Sequence, residues 1–127
     1  MTKEQLISAI IDAATTVKIE MGTGFLEGVY QHALQYELSL RGIHARIEVP
    51  IDVTYKGHKV GFYRADLFVE NSVIVETKVC DEISKAHEYQ LVNYLQSTGI
   101  DDGILINFGS NPIGFRRKYR TYNKKTY

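Results

Sequence analysis

Apolar positions recur at helical spacing through the first third of the chain and then switch to alternation. Thr2-Lys-Glu-Gln5 has the form of a capping box. Leu6, Ile7, Ile10, Ala14, Val17 and Met21 follow it with a helical period. Gly22-Thr23-Gly24 breaks this helix, and a second is expected from Phe25 to Arg41, stopped by Gly42. Its stripe of Leu26, Val29, Tyr30, Ala33, Leu34, Leu38 and Leu40 is expected to be mostly core. Ala45 to Val49 and Ile51 to Tyr55 are extended and β-branched, and Pro50 between them predicts an edge or a bulge. Lys56-Gly57 reads as a turn, and Lys59 to Val69 with Val73 to Val79 as a central hairpin. Asp81-Glu82 opens a loop, and Ser84 caps a third helix running to about Thr98, with Gly99 after it. Asp101-Asp102-Gly103 reads as a turn, and Ile104 to Phe108 as a short strand covered on both faces. Gly109 to Pro112 is a loop, and Ile113 to Tyr122 is a last strand or an irregular segment. The predicted class is α/β, in the order ααβββαβ, a mixed sheet flanked by helices. Val73 to Phe108 should form a right-handed parallel crossover.

The central hairpin carries the charge that needs explaining. With Asn71 at the centre of a three-residue loop, Val69 pairs with Val73 and Phe68 with Ile74, so Asp66 falls opposite Glu76. Opposed side chains have Cβ atoms only about 4.5–5.5 Å apart, and two carboxylates so close repel unless a cation or proton lies between them. Lys78, two residues past Glu76, projects from the same face. Ala65, Leu67, Val69, Val73, Val75, Thr77 and Val79 make the other face, which reads as core. Asp66, Glu76 and the Thr77 carbonyl are oxygen donors of the kind Mg²⁺ takes. A bound ion would neutralise a phosphate and acidify a water, and Lys78 would orient that water and stabilise the developing charge. The alternative is a salt-bridge cluster that only keeps a sheet face soluble. Against it, Glu76 and Lys78 lie in the most apolar strand, where charge is costly to retain without a use.

Two helices add to this picture. The third places His87, Gln90 and Tyr94 on one face, which either meets the site or forms the edge of an amphipathic helix. Glu27 stands in the first turn of the second helix, where the macrodipole favours a carboxylate in any case.

Composition narrows the class without naming a function. The 127 residues, 44% apolar and 24% charged, fit one globular domain. No apolar run is long enough to span a membrane, and the N-terminus lacks a signal-peptide pattern. The one cysteine, Cys80, fits a reducing cytoplasm, as a buried strand-end thiol or a reactive one. Charge changes the picture more: all fifteen Asp/Glu precede Gly103, whereas six Lys/Arg and no acid follow from there. The basic segment 113–127, with Arg116, Arg117, Lys118 and Arg120, therefore reads either as a phosphate-contacting surface or as a solvated tail.

Gly24-x-x-Glu27-x-x-Tyr30 resembles the signature of the GxxExxY protein family. Asp66, Glu76-x-Lys78, Gln90-Leu-Val-Asn-Tyr94-Leu95 and Ile104-Leu-Ile-Asn-Phe108-Gly109 look like its later motifs. That family is grouped with the PD-(D/E)XK nucleases. The resemblance implies a restriction-endonuclease-like αβββαβ core, here with an additional N-terminal helix. It implies that Asp66 and Glu76 are metal ligands, Lys78 the catalytic lysine, Glu27 the acid from the preceding helix, and Gln90 the polar residue of the following helix. Tyr30 and Tyr94 would support them. Ala65 precedes Asp66 where proline gives the superfamily its name. The expected activity is Mg²⁺-dependent phosphodiester hydrolysis (Mn²⁺ as a substitute), on DNA rather than RNA. A homodimer is expected by analogy with small nucleases, and no membrane association. Two rivals remain: a nucleic-acid-binding or regulatory module without turnover, and an interaction protein using Tyr119, Tyr122 and Tyr127. The geometric expectation is that Glu27, Asp66, Glu76, Lys78 and Gln90 converge on one cleft.

Overall fold

A computed structural model describes residues 1–120. Two helices come first, α1 (Lys3–Met21) and α2 (Glu27–Leu40). Three strands follow, β1 (Ala45–Tyr55), β2 (His58–Val69) and β3 (Val73–Lys78), then α3 (Lys85–Thr98), β4 (Asp102–Asn107) and β5 (Gly114–Tyr119). The sheet order is β1-β2-β3-β4-β5. Only β3 and β4 are parallel; every other neighbouring pair is antiparallel. This is a mixed α/β sheet consistent with a restriction-endonuclease-like fold. Among the described residues no helix is long and apolar enough to cross a membrane.

Local signals account for most boundaries. Thr2 and Gln5 form the capping box of α1, and Ser84 caps α3, whose end is set by Gly99 in the left-handed region at φ 75°. The 70–72 turn gives the expected pairs Val69–Val73 and Phe68–Ile74. Pro50 lies in β1, which is an edge strand and so tolerates a residue without a ladder donor.

The sheet separates two cores. On one face α1 and α2 pack Ile10, Ala14, Tyr30 and Leu34 against Leu67, Val69, Val73, Val75, Ile104 and Ile106. On the other, Leu91 and Leu95 of α3 pack against Tyr63, Ala65, Ile74 and Leu105.

Four expectations change. Asp102 and Gly103 are not a turn but the start of β4, beside Val73 and Ile74. Asp102 is held there by Lys3 and Arg117, and a Cβ on Gly103 would come within 3.0 Å of the Leu91 side chain, so α3 packs closely on the strand at the glycine. The buried stripe of α2 is narrower than expected: Tyr30, Leu34 and Leu38 are buried, but Leu26, Val29 and Leu40 are exposed. Val79 is likewise exposed, because β3 ends at Lys78. Finally, Ala65 does not share a face with Leu67. Register is kept from Ile47–Leu67 to Val49–Ala65, but Glu48 and Asp66 between them drop out of the ladder, with Glu48 at φ 52°. Both strands turn over at this point, so Leu67 faces α1 and α2 whereas Ala65 and Tyr63 face α3.

Candidate active site

The turnover at Asp66 frees its carboxylate from the sheet. Asp66 Oδ2 accepts from the Thr77 amide at 2.9 Å and the Thr77 hydroxyl at 3.2 Å. The Glu76 carboxylate reaches back to the Asp66 amide by a long contact of 3.4 Å. The two acids are therefore neighbours across β2 and β3, one step past the last ladder pair, Leu67–Val75. The Thr77 N–H points toward Asp66, and its carbonyl lies on the same edge of the strand.

Glu27 joins them from α2. It opens the helix after a loop in which Gly24 has φ 112°. Its carboxyl lies near the Thr77 hydroxyl, Asp66 and Lys78. Tyr30, one turn on, is fully buried and ties this loop down. Its hydroxyl donates to the Gly22 carbonyl at 2.6 Å and accepts from the Phe25 amide at 3.3 Å, and its ring stacks on Phe108 at 4.7 Å. The Gly24, Glu27 and Tyr30 spacing thus describes a clamped loop that delivers a carboxylate.

Lys78, Gln90 and His87 complete the cluster. A small cavity between the sheet and α3 is lined by Tyr63, Glu76, Lys78, His87, Gln90 and Tyr94. Tyr94 stacks on Tyr63 at 3.7 Å between ring centroids, fixing α3 against β2. His87 has a structural role as well, since its Nδ1 accepts from the Ser84 amide at 3.2 Å in the α3 capping box. Glu27 thus lies beside Asp66 and Lys78, and Gln90 lines a cavity with Glu76 and Lys78, so each helix contributes one of these groups near the carboxyl end of β3.

The electrostatics are those of too many acids for the cations present. Burial pushes the Glu76 carboxyl up to about 7, against the pull of the Asp66 amide and Lys78, with Glu27 adding to the rise. Burial raises Asp66 too, although Thr77 and Lys78 oppose it. Glu27, on the exposed rim, is raised by burial of its carboxyl end and by Asp66. Among the described residues no three acidic, imidazole or thiol groups form a finished ligand shell. The donors nonetheless suit a hard cation: Asp66, Glu76 and the Thr77 carbonyl offer oxygens only, and Mg²⁺ characteristically needs one or two carboxylates, with waters and phosphate filling the rest.

The basic strand is placed differently. Arg117 binds Glu4 and Asp102, Lys118 binds Glu88 at 2.9 Å, and Arg120 binds Asp101 at 2.7 Å. Arg116 is exposed and donates to the Phe115 carbonyl. Tyr119 is exposed, whereas Tyr122 and Tyr127 lie outside the described residues. Cys80 is half-buried, and burial raises its thiol, which is the opposite of activation.

Some contributors carried no sequence motif. Gln31 donates to the Asp66 carbonyl at 2.9 Å, anchoring the strand from α2, and its only signal was a position four residues after Glu27. Asn107 bonds both the amide and the carbonyl of Cys80, prolonging the β3–β4 pairing past Lys78. Gly109 is required there, because a Cβ would run into the Cys80 backbone. Glu48 adds a carboxylate near Asp66, and Tyr63 carries a buried hydroxyl without a partner among the described residues.

Residues 4–118 match the family model of the PD-(D/E)XK nuclease superfamily. The chain belongs to that superfamily. PD-(D/E)XK nucleases are typically divalent-metal dependent. A solved structure titled "Crystal structure of SSO0001" superposes with a TM-score of 0.60 at 19% identity, covering 89% of this chain and 59% of that one. That likeness concerns the fold, and the chain spans only about 59% of the other's length. No significant match was found among curated proteins.

Proposed function

We propose that this PD-(D/E)XK protein is a nuclease that hydrolyses phosphodiester bonds, DNA in preference to RNA, and that it is of the GxxExxY type. The observation that carries this reading is the meeting of Glu27, Asp66 and Glu76 with one lysine, Lys78, at the open end of β3. A salt-bridge cluster would balance its charges, and this one does not. Asp66, Glu76 and the Thr77 carbonyl would hold a divalent cation, Mg²⁺ with Mn²⁺ as a substitute. When bound, the cation neutralises phosphate charge and lowers the pKa of water.

The chain's own groups then have defined tasks. Lys78 orients the attacking water for in-line displacement and stabilises negative charge as it develops on the phosphate oxygens. Glu27 approaches from the rim, where its carboxylate can direct the same water. Gln90 lines the Lys78 side and offers an amide to the water or phosphate. Tyr94 holds α3 in place through Tyr63. Arg116, Arg117, Lys118 and Arg120 would contact phosphates at the β5 edge, three of them by exchanging an acidic partner for a phosphate. One such site cuts one strand, so cleavage of both strands of a duplex calls for a homodimer. We place the activity in the reducing cytoplasm, in keeping with a single cysteine.

The test is cleavage of linear, nicked, branched and single-stranded DNA with and without Mg²⁺. Lys78→Ala should slow the reaction by ~10²–10³-fold, the loss expected when one preorganised charge is removed. Absence of cleavage on every substrate, together with no Mg²⁺ or Mn²⁺ binding by calorimetry, overturns the reading.

A further inference from the structure

The β1–β2 hairpin extends well past the site. β3 pairs with β2 only from Leu67 to Val69, so the arm formed by residues 50–64 has no third strand. At about 3.4 Å per residue it reaches roughly 27 Å beyond Asp66. One side of the arm is packed: Val49, Ile51, Val53 and Tyr63 face α3. The opposite side carries the register pairs Asp52–Phe62 and Pro50–Arg64 and is bare. Phe62, on this side, is 55% exposed.

Charge on the arm is one-sided. Lys56, Lys59 and Arg64 stand against the single acid Asp52. Among the described residues the Arg64 side chain has no hydrogen bond or ion pair. Lys56 lies only over the Tyr55 ring, at 5.4 Å. Lys59 has only the exposed Asp52 at 3.2 Å, with both side chains more than half exposed, and such a pair gives little. The β5 cations Arg117, Lys118 and Arg120 already have acidic partners, whereas Lys56 and Arg64 of the arm have none among the described residues. Arg64 is two residues from Asp66, so this surface begins at the acidic cluster.

Cations flanking an exposed ring suit one kind of partner. A duplex hides its base faces, whereas an unpaired strand offers them for stacking while its phosphates track a basic surface. We propose that the bare side of the β1–β2 arm binds an unpaired nucleic-acid strand. Lys56, Lys59 and Arg64 take its phosphates, Phe62 takes a base, and the strand is led toward Asp66. This rests on the reading that the protein acts on nucleic acid.

The test uses the full chain carrying Lys78→Ala in the presence of a chelator, so that binding is measured without cleavage, with labelled oligothymidylate and a mixed-sequence duplex as probes. The single strand should bind more tightly than the duplex. Adding K56A, K59A and R64A together should reduce the salt dependence, log K against log salt, by about 2. Phe62→Ala should weaken binding by about tenfold while leaving that slope unchanged. All four positions are exposed, and circular dichroism would verify folding. Equal binding of the single strand by parent and arm variants overturns the proposal, as does tighter binding of the duplex. So does a dimer that dissociates on Phe62→Ala with binding unchanged. Cleavage by the wild-type chain is scored separately: if it persists undiminished in the arm variants, the arm assignment fails and the nuclease reading stands. If the wild-type chain cuts nothing, the nuclease reading fails while parent and variant binding still decide the arm.

Discussion

At the amino ends of β3 and β4, Asp102 is held by Lys3 at 3.0 Å and by Arg117 at 2.9 Å, and Arg117 is held in turn by Glu4. At the carboxyl ends of the same parallel pair, Glu27, Asp66 and Glu76 share Lys78. The first cluster has two acids and two bases, the second three acids and one base. Burial raises the Asp102 carboxyl, but hydrogen bonds from Arg117 and Lys3 more than offset this and hold it below the usual carboxylate range. Burial pushes Glu76 the other way, to about 7. A balanced cluster is complete in itself and fastens β4 to α1 and β5. An unbalanced one costs stability, and it persists at the end of a parallel pair, the end of a strand where α/β sheets place their ligands.

Breaking the two clusters should therefore have opposite consequences, and the largest separation is in catalysis. Glu76→Gln should abolish measurable cleavage, whereas Asp102→Asn should leave the rate of the folded protein within about twofold. A cleavage assay at a temperature where both variants are folded checks this. Equal losses in both would make the acidic cluster merely structural.

Stability should reverse the ranking. Asp102→Asn leaves Lys3 without its acid and takes from Arg117 one of its two, and should cost about 2 kcal/mol, as for hydrogen bonds to a charged group. Glu76→Gln removes a charge that burial disfavours and should stabilise the metal-free protein at pH 8 by about 1–2 kcal/mol. Urea unfolding in the presence of a chelator measures both, and a destabilised Glu76→Gln variant would contradict the account.

The pH dependence follows the same division. A carboxyl whose folded pKa is raised binds its proton better in the folded state. Metal-free stability should therefore fall as pH rises from 4.5 through about 7, by up to about 3 kcal/mol from Glu76. Asp66 and Glu27 act in the same direction. Asp102 has a lowered pKa, so its contribution is present above 3.8 and is lost as pH falls through the folded value. The chelated protein should be most stable in mild acid, and Glu76→Gln should flatten the decline toward neutrality. A stability maximum near pH 8 without metal would count against the unbalanced site.

The smallest effect concerns the loop that brings Glu27. Tyr30→Phe keeps the ring stacked on Phe108 but removes the bonds to Gly22 and Phe25. It should cost about 1 kcal/mol and lower cleavage several-fold, because Glu27 is no longer held. Unchanged cleavage in this variant would show that the clamp serves only the fold.

Much of this was legible before folding was considered. The capping box at Thr2, the Ser84 cap and the Gly99 stop are local signals, since a helix end is satisfied by residues within one turn of it. The 70–72 turn set the register of β2 and β3, and with it the nearness of Asp66 and Glu76. Glu76 and Lys78 stood out as charges in an apolar strand. The combination of Gly24, Glu27 and Tyr30 marked a loop and its acid, although not the hydroxyl that clamps them.

Other features depended on contacts between distant segments. Asp102 and Gly103 have the composition of a turn, and they form a strand because Lys3 and Arg117 neutralise the acid while Leu91 packs on the glycine. The reversal of faces at Asp66 depends on Glu48 across the sheet, which no alternation pattern within β2 reveals. The basic residues of β5 looked free in sequence, and their acids come from α1, α3 and the start of β4. Local hydrogen bonding and periodicity determine which segments become helix or strand, because those interactions span only a few residues. Which charges are neutralised and which are left for a ligand depends on pairings as far apart in sequence as Glu4 and Arg117, and only the packed structure decides them.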